Sequence, residues 1–340
     1  MTLSIILLAA GHGTRMNSKT QKILHVVGGK PMIMHLFEAA EATADKRPLL
    51  ITGKGADALQ TLLGSRAEYV VQAEKLGTGH AVMVAKPHQQ GNSDQLIVAY
   101  GDMPLLRAET MRRLADQQAT SGAAIVMLSL IGDPDTSFGR VVRDENGRVS
   151  EIIEVAEAKR RPNAADYLAI PELNAGVYCF DADWLWANID NLPIRQARSG
   201  QEYYLTDMVE TAVSQQKLVE AIISDDADEC LGAGTRAEMV AVEKAFRRRA
   251  NGRLLAQGVT IVDPDNCYID QDVTVGQDTV IWPGTYLQGK TAVGQNCTIG
   301  PNTVLNNAAI GDGCTIAQAS ITGATVPAGT VTKPFTIINK

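Results

Sequence analysis

"LLAAGHGTRM", residues 7–16, ends an apolar run that starts near Ser4 and passes straight into two glycines one residue apart. Glycines placed directly after a hydrophobic strand imply a backbone that comes close to another group. The stretch is not the dinucleotide fingerprint, because Met16 stands where the third glycine is needed. It is not a Walker A loop either, since no Gly-Lys-Ser/Thr follows. A strand feeding a Gly-x-Gly turn still presents backbone N–H groups to phosphates or a base at the carboxyl end of a sheet. Arg15 and Lys22 add positive charge nearby. Taken alone, the stretch also fits a tight turn carrying surface cations.

Up to about residue 230 the surrounding chain alternates short apolar runs with helix-period segments. "SIILLAAG", "PLLITG", "QLIVAYGD" and "AAIVMLSL" read as buried strands. Near-continuous apolar strands separated by helices predict an α/β sheet covered on both faces, a Rossmann-like, doubly wound mixed sheet. Residues 235–256 read as one helix, with Met239, Val242, Phe246, Ala250 and Leu254 in a stripe and Arg247, Arg248, Arg249 and Arg253 around it.

From Ile269 the period changes. Aliphatic residues recur every six positions at Ile269, Val275, Ile281, Leu287, Val293, Ile299 and Leu305, then slip by one residue to Ile310 and Ile316. Four positions after an aliphatic residue comes a small one: Thr279, Thr285, Thr291, Cys297, Thr303 and Cys314. This is a hexapeptide repeat, in which each hexad forms one face of a triangular parallel β-helix, and about nine hexads predict roughly three coils.

Composition sets bounds. The chain has 340 residues, 45% hydrophobic and 20% charged, which suits two globular domains. A net charge of −7 argues against a general nucleic-acid binder. The apolar run Ile5–Ala10 is too short to span a bilayer, and neither end carries a lipidation signal. Five scattered cysteines without a C-x-x-C pair fit a reducing cytoplasm, exclude an obvious zinc site and read as buried thiols. No nucleic-acid or membrane partner is expected.

More motifs follow in order. "QAEKLGTGHA" (72–81) is a second Gly-rich turn, with Gln72 suited to a base edge. "LIVAYGDMPL" (96–105) sets Asp102 just past a strand, where a carboxylate suits Mg²⁺ against phosphate oxygens. "SFGRVVRDENGRV" reads as a hairpin, and "IIEVAEA", "ELNAGVY" and "GQEYYLTD" come after it. Together these stretches resemble the bifunctional N-acetylglucosamine-1-phosphate uridyltransferase/glucosamine-1-phosphate acetyltransferase family over nearly the whole nucleotidyltransferase half.

The resemblance implies that Leu8, Ala9, Ala10, Gly11, Gly13 and Thr14 wrap a nucleotide. It implies that Arg15 and Lys22 act on its phosphates, and that Gln72, Gly77 and Thr78 meet uracil. Tyr100 and Gly101 lead to Asp102, the implied Mg²⁺ ligand and third catalytic residue. Gly139, Glu154, Asn174 and Thr206 match the sugar-binding set. The implied substrates are UTP and N-acetylglucosamine 1-phosphate. The implied reaction needs no covalent intermediate, because a phosphate dianion is already a nucleophile; alignment and charge neutralisation carry it.

Two positions depart from the family pattern. Gln21 replaces the proline before the lysine, and Gly234 aligns with the asparagine that is the second metal ligand. Asp226, Asp228, Glu229 or water are the candidate substitutes.

For the tail, the resemblance implies a left-handed β-helix assembling as a homotrimer. Acetyl transfer is expected to be absent, because all five histidines (12, 25, 35, 80 and 88) fall in the first part and no arginine follows Arg253. The expected divisions are 1–230, nucleotidyltransferase; 231–258, connecting helix; and 259–340, β-helix. Two alternatives stay open: the same transfer to another hexose or amino-sugar 1-phosphate, and a non-catalytic nucleotide-sugar-binding subunit.

Overall fold

The computed structural model describes residues 1–197 and 200–340. They form two compact units: Met1–Leu24 with Met32–Thr235, and His25–Pro31 with Arg236–Lys340.

The first unit is built on a nine-stranded sheet. In chain order its strands are β1 Leu3–Ala9, β2 Leu49–Thr52, β3 Glu68–Val71, β4 Gln95–Tyr100, β5 Ile125–Ile131, β6 Arg140–Arg143, β7 Val149–Ile153, β8 Glu172–Asp181 and β9 Val219–Ile223. The principal order is β9-β5-β8-β4-β1-β2-β3, with β6 pairing β8 and β7. β1 pairs in parallel with β2 on one side and β4 on the other, while β8 runs antiparallel to β4 and β5. The order therefore reverses between β1 and β4, and a crevice opens at their carboxyl ends. The expected mixed sheet is what forms.

Helices α1 Met32–Glu41, α2 Asp57–Leu63, α3 Gly77–Gln89 and α4 Ala108–Ser121 cover it. Side chains alternate along β1: Leu3, Ile5, Leu7 and Ala9 enter a core with Leu36 and Phe37 of α1 and Leu114 of α4. Ile6 enters the opposite core with Val82 and Ala85 of α3 and Trp186. Burial on both faces is why these strands read as unbroken apolar runs, and each fully buried Leu or Ile contributes about 1.5–3 kcal/mol.

The second unit is the hexapeptide-repeat left-handed β-helix, three parallel sheets of four, five and four strands. Register stacks Ile281 on Ile299 on Ile316, Leu287 on Leu305 on Ile321, and Val293 on Ile310 on Val326. The one-residue slip after Leu305 is absorbed without breaking these columns. Pairing extends from Thr260 to Asn339, so the solenoid is longer than the three coils expected from phase alone. The small corner residues are buried, and their hydroxyls are used: Thr285 Oγ1 donates to the Trp282 carbonyl at 2.6 Å, and Thr291 Oγ1 to that of Gln288 at 2.7 Å.

A helix over Arg236–Ala256 begins this unit; of the expected stripe Val242, Phe246, Ala250 and Leu254 are buried, while Met239, in the first turn, is half-buried. Residues 25–31, expected in the first domain, belong with it instead. They form a small ribbon, Val26–Val27 against Lys30–Pro31. The Gly28 N–H donates to Glu243 Oε2 at 3.0 Å, and Lys30 pairs with Asp272 at 2.9 Å. Gly28 has φ +53°, and an added Cβ would fall 2.1 Å from the Phe246 ring, so only glycine allows this seat.

Candidate active site

The crevice at the ends of β1 and β4 is a cleft of about 910 Å³. Of the residues singled out from sequence, Leu8, Ala9, Ala10, Gly11, Lys22, Gln72, Gly77, Thr78, Tyr100, Asp102, Glu154 and Thr206 line it. Gly13, Thr14, Arg15, Gly101, Gly139 and Asn174 do not.

The second opening glycine has a different neighbour from the one its motif suggests. Gly13 has φ +73°, and an added Cβ would lie 2.3 Å from Lys22 Cβ. The close approach that the opening glycines require is therefore, at Gly13, an approach to the stem of Lys22. Gly11 faces the cleft, with Lys22 Cε 4.0 Å from its missing Cβ. Thr14 and Arg15 stand in an exposed 3-10 turn, Thr14–Met16, whose Met16 is buried beneath. The substitution at Gln21 is compensated: its Nε2 donates to the Ala9 carbonyl at 2.8 Å, tying the Lys22 loop to the end of β1.

Lys22 Nζ is 2.5 Å from Asp102 Oδ2. Asp102 follows β4, and Gly101 owes its identity to packing: its N–H donates to the Leu8 carbonyl at 2.9 Å, and a Cβ would sit 2.9 Å from that oxygen. The Ala233 N–H donates to the Asp102 carbonyl at 3.1 Å, which brings the Gly232–Gly234 segment alongside. An added Cβ at Gly232 would lie 3.8 Å from Asp102 Oδ2. Glu229, a candidate substitute ligand, is instead fully buried and holds Arg107 and the Thr110 hydroxyl. Asp226 caps a turn through the Asp228 N–H at 3.1 Å, and neither residue lines the cleft.

Among the described residues no group of three or more His, Cys, Asp or Glu is placed to hold a metal. Of the carboxylates lining the cleft, Asp102, Glu154 and Glu202, Asp102 is the one paired with Lys22 at the end of β4. Asp102 suits Mg²⁺, which commonly binds one or two carboxylates and completes its shell with substrate phosphates and water.

Gln72 is 4% exposed, and its Nε2 donates to the Gly77 carbonyl at 3.0 Å and faces His80 Nδ1 at 3.1 Å. Its Oε1 has no hydrogen-bond partner among the described residues. His80 thus has a local structural part, stacked against Tyr203 at 6.3 Å. Gly77, φ +93°, starts α3 where a Cβ would meet the Tyr203 carbonyl at 2.5 Å. Thr78 Oγ1 accepts the Leu205 N–H at 3.1 Å, joining α3 to the 203–206 segment that carries Thr206.

Burial raises the Glu154 carboxyl above its ordinary range, with Glu157 and Asp207 adding to the shift and Arg140 opposing it. The Tyr100 hydroxyl is pushed up by burial as well. Gly139 backs this carboxylate, its missing Cβ 3.4 Å from Glu154 Oε1. Asn174 is spent inside the sheet: Nδ2 donates to the Tyr178 hydroxyl at 2.7 Å and Oδ1 accepts the Gly176 N–H at 3.0 Å. That closes a register shift in β8, and Gly176 (φ +79°) leaves room for the Tyr100 ring, 2.1 Å from where a Cβ would be. Sequence reasoning missed Gly176, and also Lys75, Lys159, Arg160 and Tyr204, which line the cleft outside the quoted roles. The basic residues carried no motif; only their place at the cleft distinguishes them.

A Gly-rich turn at a sheet reversal, a cleft holding a lysine and a carboxylate, and a hexapeptide solenoid define a nucleotidyltransferase of the kind that carries a β-helix. Family comparison agrees: residues 5–170 match the MobA-like NTP transferase domain, and residues 272–307 match the bacterial transferase hexapeptide (six repeats). The chain is 40% identical to the Bifunctional protein GlmU of an Exiguobacterium species, over 97% of this chain and 72% of that protein. It is 37% identical to the GlmU of Exiguobacterium sibiricum over the same shares, and 39% to that of a Geobacillus species over 92% and 66%. The chain belongs to the GlmU family, and it is a nucleotidyltransferase enzyme.

Proposed function

We propose that the enzyme joins UTP and N-acetylglucosamine 1-phosphate, giving UDP-N-acetylglucosamine and pyrophosphate. The observation that carries the choice of base is Gln72. Its amide nitrogen is engaged by Gly77 and His80, which leaves Oε1 as an acceptor for a ring N–H. Uracil presents such a donor at N3, whereas cytosine and adenine present acceptors at the corresponding ring nitrogens; guanine also donates, at N1, and the choice of uracil over guanine rests on the likeness to the GlmU family.

In the reaction a phosphate oxygen of the sugar 1-phosphate attacks the α-phosphorus of UTP. A phosphorus–oxygen bond forms there as the bond to the bridging oxygen of the β-phosphate breaks, and pyrophosphate departs with the electron pair. The backbone of residues 8–11 orients the triphosphate. Lys22 leaves Asp102 for the phosphates and offsets their charge. Arg15, exposed at the loop, meets them from outside. Asp102 would hold Mg²⁺, which supplies further charge neutralisation when bound. Glu154 and Thr206 accept and donate to the sugar hydroxyls. Asn174, Gly139 and Gly101 act through positioning, by seating Tyr100, Glu154 and Asp102.

We assign the β-helix to assembly, as a homotrimer, and no acetyl-transfer step to it. Beyond Arg253 the chain has neither histidine nor arginine to serve as base or phosphate fork. A cytoplasmic setting accords with five buried, unpaired cysteines.

The test is product formation across a panel of UTP, CTP, ATP and GTP with several hexose and amino-sugar 1-phosphates. UTP with N-acetylglucosamine 1-phosphate should give the highest kcat/KM. A higher value for another sugar phosphate would reassign the acceptor, and a preference for CTP would overturn the role of Gln72.

A further inference from the structure

A second hollow, about 670 Å³, lies within the β-helical unit between the helix Arg236–Ala256 and the chain at 264–268. Lys244, Arg247 and Arg248 line it, against a single lining carboxylate, Asp265. A basic run on a helix is ordinarily a solvated face, but Arg247 here is held. Its guanidinium lies 4.4 Å from the centroid of the Tyr268 ring, which stacks on Tyr286 at 4.6 Å with 4° between planes. Arg247 Nη1 donates to the Asp265 carbonyl at 3.3 Å, and Nε is buried without a hydrogen bond, 4.0 Å from the nearest carboxylate, Glu243. Asn251, also lining the hollow, is only 2% exposed. Its Nδ2 donates to the Pro264 carbonyl at 2.8 Å, while Oδ1 has no partner. A stacked, pre-oriented guanidinium beside two further cations suits a phosphate group. The orphaned Oδ1 calls for a donor.

We infer that this hollow is a binding site for a small hydroxylated phosphate ester, a sugar phosphate, separate from the nucleotidyltransferase cleft. Its phosphate oxygens accept from Lys244, Arg247 and Arg248, and a hydroxyl supplies the donor for Asn251. The volume lies in the range of small-molecule pockets. Tyr268 lines the hollow, with Arg247 over its ring and Tyr286 stacked on it, so the hollow offers no free face of that ring to a nucleobase, and this favours the sugar phosphate over a nucleotide.

Isothermal titration of the full chain with ribose 5-phosphate tests it, with AMP and inorganic phosphate as comparison ligands. Lys22→Met reports on the first cleft; Lys244→Glu and Arg247→Lys report on the second. Lys244 is exposed, so its variant keeps the melting temperature. The expected result is one equivalent of ribose 5-phosphate bound, unchanged in Lys22→Met and at least tenfold weaker in Lys244→Glu and Arg247→Lys. AMP and inorganic phosphate should bind at least tenfold less tightly than ribose 5-phosphate. Binding that is absent, or that survives Lys244→Glu and disappears in Lys22→Met, would overturn the site. Equal affinity for inorganic phosphate would reduce it to a general anion patch, and equal affinity for AMP would overturn the ligand class.

Discussion

Lys22 Nζ rests 2.5 Å from Asp102 Oδ2, each side chain about one-fifth exposed (19% and 18%), across 80 positions of sequence. The cation assigned to the triphosphate and the carboxylate assigned to the metal thus neutralise one another in the substrate-free enzyme. On that assignment a divalent ion would have to compete with the ammonium for Oδ2 until phosphate oxygens drew Lys22 away. Titration of Mn²⁺ followed by electron paramagnetic resonance should therefore show weak binding alone and at least tenfold tighter binding with UTP. Lys22→Met should strengthen binding to the free enzyme several-fold while lowering turnover. Unchanged Mn²⁺ affinity in that variant would mean that the ion pair does not guard the carboxylate.

Asp102→Ala should reduce Mg²⁺-dependent turnover by about 10²–10³-fold, the scale seen when one charge-stabilising group is removed from such a site. Full activity in the variant would place the metal elsewhere.

Gly234→Asn should lower the Mg²⁺ concentration needed for half-maximal rate several-fold, by adding a hard oxygen ligand beside Asp102. Gly234 is buried in the segment that Ala233 fastens to the Asp102 carbonyl. Improvement from Gly232→Asn alone would shift the ligand position two residues upstream, toward the Cβ site 3.8 Å from Oδ2.

Gly13→Ala and Gly11→Ala form a matched pair. At Gly13 the φ of +73° and the 2.3 Å approach to Lys22 Cβ leave no room, so the loop must move and carry Lys22 with it. The left-handed conformation adds about 1–2 kcal/mol for a residue with a Cβ. Gly13→Ala should cut kcat/KM far more than Gly11→Ala, whose nearest neighbour is 4.0 Å away. Equal losses would show that both glycines serve the ligand directly.

Glu154→Gln should act on stability and binding in opposite directions. Burial, then Glu157 and Asp207, lifts the folded-state carboxyl above its ordinary value of 4.5. The fold therefore disfavours the ionised form: Glu154 leaves stability intact below pH 4.5, and stability falls as pH rises through the raised value. Removing the charge should raise the melting temperature at neutral pH and flatten its dependence on pH above 4.5. It should also raise the KM for the sugar phosphate about tenfold, by ~1.4 kcal/mol, through loss of charge-assisted hydrogen bonds. A KM left unchanged would remove Glu154 from the sugar site.

The features legible in sequence were those that repeat locally. β1, β2, β4 and β5 announce themselves because burial on both faces makes each an unbroken apolar run. The solenoid does so because Ile281, Ile299 and Ile316 must stack. Its outer coils are less legible because the hexad phase fades before Ile269 and after Ile316, where pairing alone continues it. The place of the ribbon 25–31 is not legible locally because its seat depends on Phe246 and Glu243, far along the chain. Likewise the sequence places twelve residues at the cleft but does not show that Gly13 makes room for Lys22, that Gln21 holds the Ala9 carbonyl, or that Asn174 closes a bulge for Tyr100. Single side-chain contacts, near or far along the chain, leave no periodic trace.

The most direct measurement is pyrophosphate release from UTP and N-acetylglucosamine 1-phosphate, with Mg²⁺ titrated into the millimolar range. Release is predicted to require both substrates and the metal, and to be lost in Asp102→Ala. Release from UTP without the sugar phosphate, or none with the pair while another sugar 1-phosphate supports it, would contradict the assigned reaction.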